Sequence, residues 1–89
     1  MQSKNKPTMS EHERDYITNL KSMACGVCRA PGPSDAHELE QGQWFTAIPL
    51  CRDCHTGSFN GIHGQKRLWA VQKLTELKVL NETIRSLMQ

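Results

Sequence analysis

The chain has 89 residues and a formal net charge of +2 with its histidines neutral, and 37% of its residues are hydrophobic. A chain of this length forms one small domain, whose apolar core is usually too small to be stable without disulfides or a bound metal. No stretch is long and apolar enough to span a membrane, and a charge of +2 does not by itself indicate nucleic-acid binding.

The N-terminal segment Met1–Met9 is polar and contains Pro7. This composition predicts a flexible tail, followed by a single domain over residues 10–89. The segment has no apolar core of the kind found in signal peptides, so we expect a cytoplasmic protein that is not associated with a membrane. Because cytoplasmic thiols are kept reduced, we expect the cysteines to bind a metal rather than to form disulfides.

The first predicted helix runs from about Glu11 to Ser22. Ser10 and Glu13 have the spacing of a capping box, in which each side chain accepts a hydrogen bond from the backbone N–H of the other residue. Apolar residues then recur at spacings of three and four, which predicts one buried helix face made of Tyr16, Ile17, Leu20 and Met23.

Two cysteine pairs follow, Cys25–Cys28 and Cys51–Cys54, each with two intervening residues. This spacing lets both thiolates of a pair point into one tetrahedral site, which predicts a structural zinc ion bound by all four cysteines. Zinc binding contributes on the order of 10–16 kcal/mol in finger peptides, enough to stabilise a small domain. A mixed site completed by His37 or His63 is the alternative, and the two equal gaps favour the all-cysteine site.

Between the cysteine pairs, the sequence predicts two short strands, Ala36–Leu39 and Trp44–Leu50, with a turn at residues 41–43. Neighbouring residues of a strand point to opposite faces, so we expect one of Trp44 and Phe45 to lie in the core.

Glycines at positions 57, 61 and 64 predict a loop after the second pair. Residues 65–88 then have a helical pattern, either as one helix or as two with a bend near Thr75. Its apolar residues also leave open self-association through a seam of Leu74, Leu77, Ile84 and Leu87. The expected fold class is a small zinc-stabilised α+β domain.

Three of the four histidines lie close to the cysteine pairs in the sequence: His37, His55 and His63. Neutral imidazoles are common ligands of divalent metals, and Asp35 and Glu38 add carboxylates nearby. A metal with open coordination positions can activate water or stabilise the leaving oxygen of a phosphodiester. The sequence therefore predicts a second metal site at these histidines.

The arrangement resembles that of HNH endonucleases with a structural zinc ion. The resemblance rests on the first cysteine pair, on Ala36-His37-Glu38-Leu39 and on Ile48-Pro49-Leu50-Cys51-Arg52-Asp53-Cys54-His55, and it spans roughly residues 23–87. Gly61-Ile62-His63-Gly64 and the following Trp-bearing helix are similar to small phage proteins of this superfamily, especially the Ref-like, RecA-dependent nuclease group.

The resemblance implies a ββα-metal (HNH or His-Me finger) core, in which a hairpin packs on a helix with a catalytic metal between them. The N-terminal helix and the C-terminal helix or helix pair would flank this core. The implied activity is hydrolysis of DNA phosphodiester bonds in the cytoplasm of a bacterial host cell. The implied catalytic metal is Mg²⁺ or Mn²⁺, with Zn²⁺ or Ni²⁺ as alternatives, and it would be bound by His37 and His55. His63 would be a further ligand or a phosphate contact.

DNA is the partner that the resemblance implies. A protein partner in recombination or phage biology is a further expectation, and the protein itself is expected to be a monomer or a weak homodimer. We predict His37, Glu38 and His55 as the catalytic residues.

Two positions depart from the family pattern, which has an Asp-His or His-His pair in the hairpin and a central Asn or Asp. If Leu39 sets the register, His37 takes the metal-ligand position and Glu38 replaces the general base. If His37 is the base, Ala36 stands at a ligand position. Aromatic residues and a threonine at 44–46 stand where the central Asn or Asp is expected. An inactive zinc module that binds DNA or a protein is therefore the alternative function.

Overall fold

The computed structural model describes residues 8–89, so most of the predicted N-terminal tail lies outside the described residues. The described chain has an α+β fold with a two-stranded antiparallel sheet and four α-helices. The strands are β1 (Asp35–Glu38) and β2 (Ala47–Leu50), and the helices are α1 (Glu11–Lys21), α2 (Arg52–Thr56), α3 (Arg67–Val71) and α4 (Glu76–Leu87). Within residues 8–89, no helix has the length and apolar character needed to cross a membrane.

Helix α1 begins at the predicted capping box. The Ser10 hydroxyl accepts a hydrogen bond from the Glu13 N–H at 3.1 Å, and the Glu13 carboxylate accepts one from the Ser10 N–H at 2.7 Å. The predicted helix face is buried at Tyr16 and at the two apolar residues that follow it on the same stripe. The Tyr16 hydroxyl donates to the Ala47 carbonyl at 2.7 Å, which fixes α1 against β2.

The two strands pair in one register, with Asp35 opposite Leu50 and His37 opposite Ile48. The predicted second strand is too long, because Trp44–Thr46 form a 3-10 turn instead. In this turn the Thr46 N–H and hydroxyl both donate to the Gln43 carbonyl, at 2.9 and 2.7 Å, and such local hydrogen bonds compete with strand pairing.

Trp44 is buried and Phe45 is 52% exposed, so one of the two aromatic residues lies in the core as predicted. The prediction was wrong about the cause, since the two rings diverge in a 3-10 turn and not in a strand.

The C-terminal segment forms two helices, as one of the two alternatives predicted. Lys73 adopts a left-handed backbone conformation (φ 56°) between them, and the Thr75 hydroxyl caps α4 by accepting from the Lys78 N–H at 3.1 Å. The break separates Leu74, which precedes α4, from the other three residues of the predicted seam. Val79 is buried in α4, whereas Leu77 is 69% exposed.

The core consists of two clusters on the two faces of β2. Ile48 and Leu50 belong to the first cluster, together with Cys25, Val27, Cys54, Trp69 and Val79. Ala47 belongs to the second, with Tyr16, Ile17 and Leu20 of α1, and Met9 packs against it. Because successive residues of a strand alternate between faces, one four-residue strand contributes to both clusters. Two of the four cysteines are thus core residues.

Candidate metal centres

The four cysteines lie together at the junction between the first loop and α2. Their sulfur atoms all lie within 4.8 Å of one another, and the Sγ atoms of Cys28 and Cys51 are 3.6 Å apart. In a tetrahedral zinc site with Zn–S bonds of about 2.3 Å, neighbouring sulfurs are about 3.8 Å apart. The predicted four-cysteine cluster is therefore confirmed, and it is compatible with a structural metal ion such as zinc.

Backbone N–H groups point at the sulfur that begins each pair. The Cys25 sulfur accepts from the N–H groups of Val27 and Cys28 at 3.4 and 3.5 Å, and the Cys51 sulfur accepts from the Cys54 N–H at 3.4 Å. The turn of the first pair is anchored to the end of β2, since the Gly26 N–H donates to the Pro49 carbonyl at 2.8 Å. Hydrogen bonds of this kind stabilise thiolates, the form in which cysteine binds metals.

Three of the four cysteine thiols have shifted pKa values. Burial acts to raise the pKa of Cys25, but backbone N–H groups, the Cys28 N–H first, outweigh it and lower that pKa to about 7. Burial and then the charge on Cys25 raise the pKa of Cys54, and burial is also the main cause that raises the pKa of Cys28. Four thiolates this close repel one another, so all four can be ionised together only around a cation.

The structure also brings together three histidines from three different segments. His37 lies on β1, His55 on α2 and His63 in the turns that follow α2, and their rings are 5.2 Å apart, centroid to centroid, in each of the three pairs. One nitrogen from each ring lies within 4.8 Å of the others, so the three can share one metal ion. We call this group the histidine cluster.

His63 reaches the cluster because the loop after α2 folds back on that helix. The Ile62 N–H donates to the Cys54 carbonyl at 2.8 Å, and the His63 N–H donates to the His55 carbonyl at 3.3 Å. The loop can approach this closely because position 61 is a glycine, and a Cβ there would collide with the Gly57 carbonyl oxygen. Gly61, one of the predicted loop glycines, therefore allows His63 to reach the histidine cluster.

Two carboxylates hold two of the imidazoles. A carboxylate only accepts hydrogen bonds, so His55 donates from Nδ1 to Asp35 at 3.1 Å and His37 donates from Nε2 to Glu76 at 3.2 Å. The other ring nitrogen, Nε2 of His55 and Nδ1 of His37, is then available to a metal. Metal-binding histidines usually donate their second N–H to a carboxylate or carbonyl in this way.

The protonation states suit metal binding. Burial lowers the pKa of His37, which favours its neutral, ligating form near neutral pH. The Arg52 guanidinium, with His55 second, lowers the pKa of Asp35 and keeps it ionised. Arg52 donates to both Asp35 oxygens, at 2.9 and 3.4 Å, so the order of contacts is Arg52–Asp35–His55.

Glu38 lies beside the histidine cluster but is not part of it. It lines the same cleft, of about 260 Å³, with the three histidines and Gln41. Its Oε1 atom accepts a hydrogen bond from the Gly42 N–H at 2.9 Å. Glu76 was not predicted, because it is 39 residues from His37 and nothing in the sequence links the two.

No family model, no curated protein and no solved structure matches the chain. The class that the fold and the site define is therefore a small α+β domain with a four-cysteine cluster compatible with zinc.

Proposed function

We propose that the protein is a small HNH-type endonuclease of phage or prophage origin. It hydrolyses DNA phosphodiester bonds with a divalent metal bound by His37, His55 and His63, on a zinc scaffold formed by the four cysteines. The observation that carries the proposal is the convergence of three imidazoles within 4.8 Å, two of them held by carboxylates. A structural metal alone does not require these histidines.

The order of elements around the cluster supports a ββα-metal core. Strands β1 and β2 form an antiparallel pair, α2 follows β2 directly, and α2 contacts both strands. His37 lies on the first strand and His55 on the helix, so a metal bound to both would lie between the hairpin and the helix. This is the position that the resemblance to HNH endonucleases implies.

The donor set favours a transition metal over magnesium. Mg²⁺ prefers oxygen ligands and octahedral geometry, whereas imidazole nitrogens suit Zn²⁺, Ni²⁺ and related ions. Three imidazoles leave coordination positions open, and an ion there would polarise the phosphate and acidify water. We therefore propose Zn²⁺ or Ni²⁺ as the catalytic ion, in preference to Mg²⁺ or Mn²⁺.

Glu38 is the candidate general base. Its carboxylate lies in the cleft with the three histidines, where it can accept a proton from the attacking water. The histidines are less suited to this role, because His37 and His55 each already donate one N–H to a carboxylate and would use the second nitrogen as a ligand.

The test is plasmid nicking by the purified protein in the presence of Mg²⁺, Mn²⁺, Ni²⁺ or Zn²⁺. We expect His37→Ala to abolish nicking and to weaken binding of the second metal. His12→Ala is the matched control, because His12 is exposed on α1, away from the cluster. If His37→Ala nicks DNA as fast as His12→Ala, the proposed site is wrong.

An inactive zinc module that binds DNA or a protein is the second candidate function. The observation that favours it is the 3-10 turn at Trp44–Thr46, where the family pattern has its central Asn or Asp. This function predicts no nicking with any metal. Binding to DNA would then weaken steeply as salt rises, since phosphate contacts release counterions, and a protein partner would show no such dependence.

A further inference from the structure

A second, larger cleft opens beside the histidine cluster, on the side of α1. Its volume is about 560 Å³, and its walls come from α1, β1, the 3-10 turn and α2. Ala36, Glu38 and His55 line both this cleft and the smaller histidine cleft, so the two clefts are adjacent. A molecule that extends from the histidine cluster in this direction enters the larger cleft.

Two cations line the larger cleft. Lys21, in the last turn of α1, is exposed, and within residues 8–89 its ammonium group makes no hydrogen bond or ion pair. The Arg52 side chain is 79% exposed and uses its Nε and one Nη to bind Asp35, which leaves further N–H donors for a ligand.

Two carboxylates, Asp35 and Glu38, also line the cleft, and within residues 8–89 neither of them forms an ion pair with Lys21. The Asp35 carboxylate accepts hydrogen bonds from Arg52 and His55, and the Glu38 carboxylate accepts one from the Gly42 N–H. Lys21 is also held in place at the backbone, because its carbonyl accepts from the Ser34 N–H at 2.8 Å, just before β1 begins. Lys21 is therefore a cation of the cleft that no carboxylate of residues 8–89 contacts, and its backbone is joined to the segment that precedes β1.

We propose that this cleft binds the sugar–phosphate backbone of one DNA strand, next to the phosphate that is cleaved. The inference rests on the proposed function. Lys21 and Arg52 contact phosphate oxygens of this strand. The apolar side chains of the cleft, Ile17, Ala36 and Trp44, pack against the sugar. A volume of about 560 Å³ lies within the range typical of small-ligand sites, about 300–1,000 Å³, so the cleft admits a single nucleotide and not a duplex.

The test is the salt dependence of DNA binding by Lys21→Gln. This variant removes one charge from an exposed side chain and leaves both metal centres intact. We expect weaker binding to every DNA sequence and a reduction of about 1 in the slope of log affinity against log salt. Lys78→Gln is the matched control, because Lys78 is an exposed lysine of α4 that lies outside the cleft, and it should leave the slope unchanged.

A small activated phosphodiester separates this inference from the proposed function. Such a substrate lacks the neighbouring nucleotide that the larger cleft is proposed to bind. Lys21→Gln should therefore cleave it at the wild-type rate, whereas the KM of this variant for DNA should rise. If Lys21→Gln and Lys78→Gln bind DNA with the same affinity and the same slope, the inference is overturned. If the wild type cleaves neither substrate, the proposed function fails, and the comparison of the two slopes still decides whether the cleft binds DNA.

Discussion

Replacing Cys28 with serine tests the role of the four-cysteine cluster with little loss of packing. Cys28 is exposed, whereas Cys25 and Cys54 are fully buried in the first core cluster. An exposed substitution away from special features usually changes the free energy of unfolding by less than about 0.5 kcal/mol. Any large effect of Cys28→Ser should therefore arise through the metal that the sulfur would bind.

The expected magnitude follows from the position of the cluster in the core. Cys25 and Cys54 pack with Ile48, Leu50 and Trp69, so an ion bound to the cysteines is coupled to most of the first core cluster. Zinc contributes about 10–16 kcal/mol to folding in finger peptides, and the whole stability of a domain is about 5–15 kcal/mol. Because these values are comparable, we expect both Cys28→Ser in zinc and metal-free wild type to lose most of their folded state.

The assay is thermal unfolding followed by circular dichroism, for wild type and Cys28→Ser, each with zinc and with a chelator. Thiolate-to-cobalt absorbance after cobalt substitution reports on the cysteine site separately from the histidine cluster. Ala24→Ser, a change at an exposed neighbouring position, is the control and should behave as wild type both with zinc and with the chelator. A Cys28→Ser protein that keeps the full zinc-dependent rise in melting temperature would refute the reasoning.

Two further predictions concern residues outside the metal ligands. Glu76→Ala removes the acceptor for His37 Nε2 and should weaken metal binding at the histidine cluster about 10–100-fold in a competition titration. Glu76→Gln should retain much of that affinity, because its amide oxygen still accepts, and equal affinities for Glu76→Ala and wild type would show that Glu76 does not position His37. Ser10→Ala removes the N-cap of α1 and should lower the free energy of unfolding by about 1 kcal/mol in urea titrations, with no change in metal binding. A loss of metal affinity in this variant would contradict the separation of α1 capping from the metal centres.

The parts of the fold that could be predicted from the sequence depend on short-range patterns. The capping box at Ser10 places the start of α1 correctly because both hydrogen bonds join residues three apart. The spacing of each cysteine pair predicts the cluster for the same reason, since the two sulfurs of a pair converge through one local turn. Thr75 marks the start of α4 by a cap of the same kind.

The parts that the sequence did not reveal depend on contacts between distant residues. Helix α2 is only five residues long, and the sulfur of Cys51, the residue before it, caps the helix by accepting the Cys54 N–H. The cysteine pair explains the residues at these positions by itself, so the sequence contains no separate signal for a helix. The burial of Val79 rather than Leu77 in α4 follows from the contacts of α4 with β2, a distant element of the chain. The Glu76–His37 contact joins two elements whose relative positions follow only from the complete packing.

The four-cysteine cluster and the histidine cluster are linked through α2. Cys54 and His55 are adjacent on that helix, and the Cys54 carbonyl accepts both the Ile62 N–H at 2.8 Å and the Trp69 Nε1–H at 3.3 Å. The first of these bonds holds the loop that carries His63, and the second holds α3. An ion bound by the four cysteines would therefore fix the backbone from which two of the three imidazoles project. This arrangement explains how a chain with a two-stranded sheet and a five-residue helix can hold three histidines close enough to share a second ion.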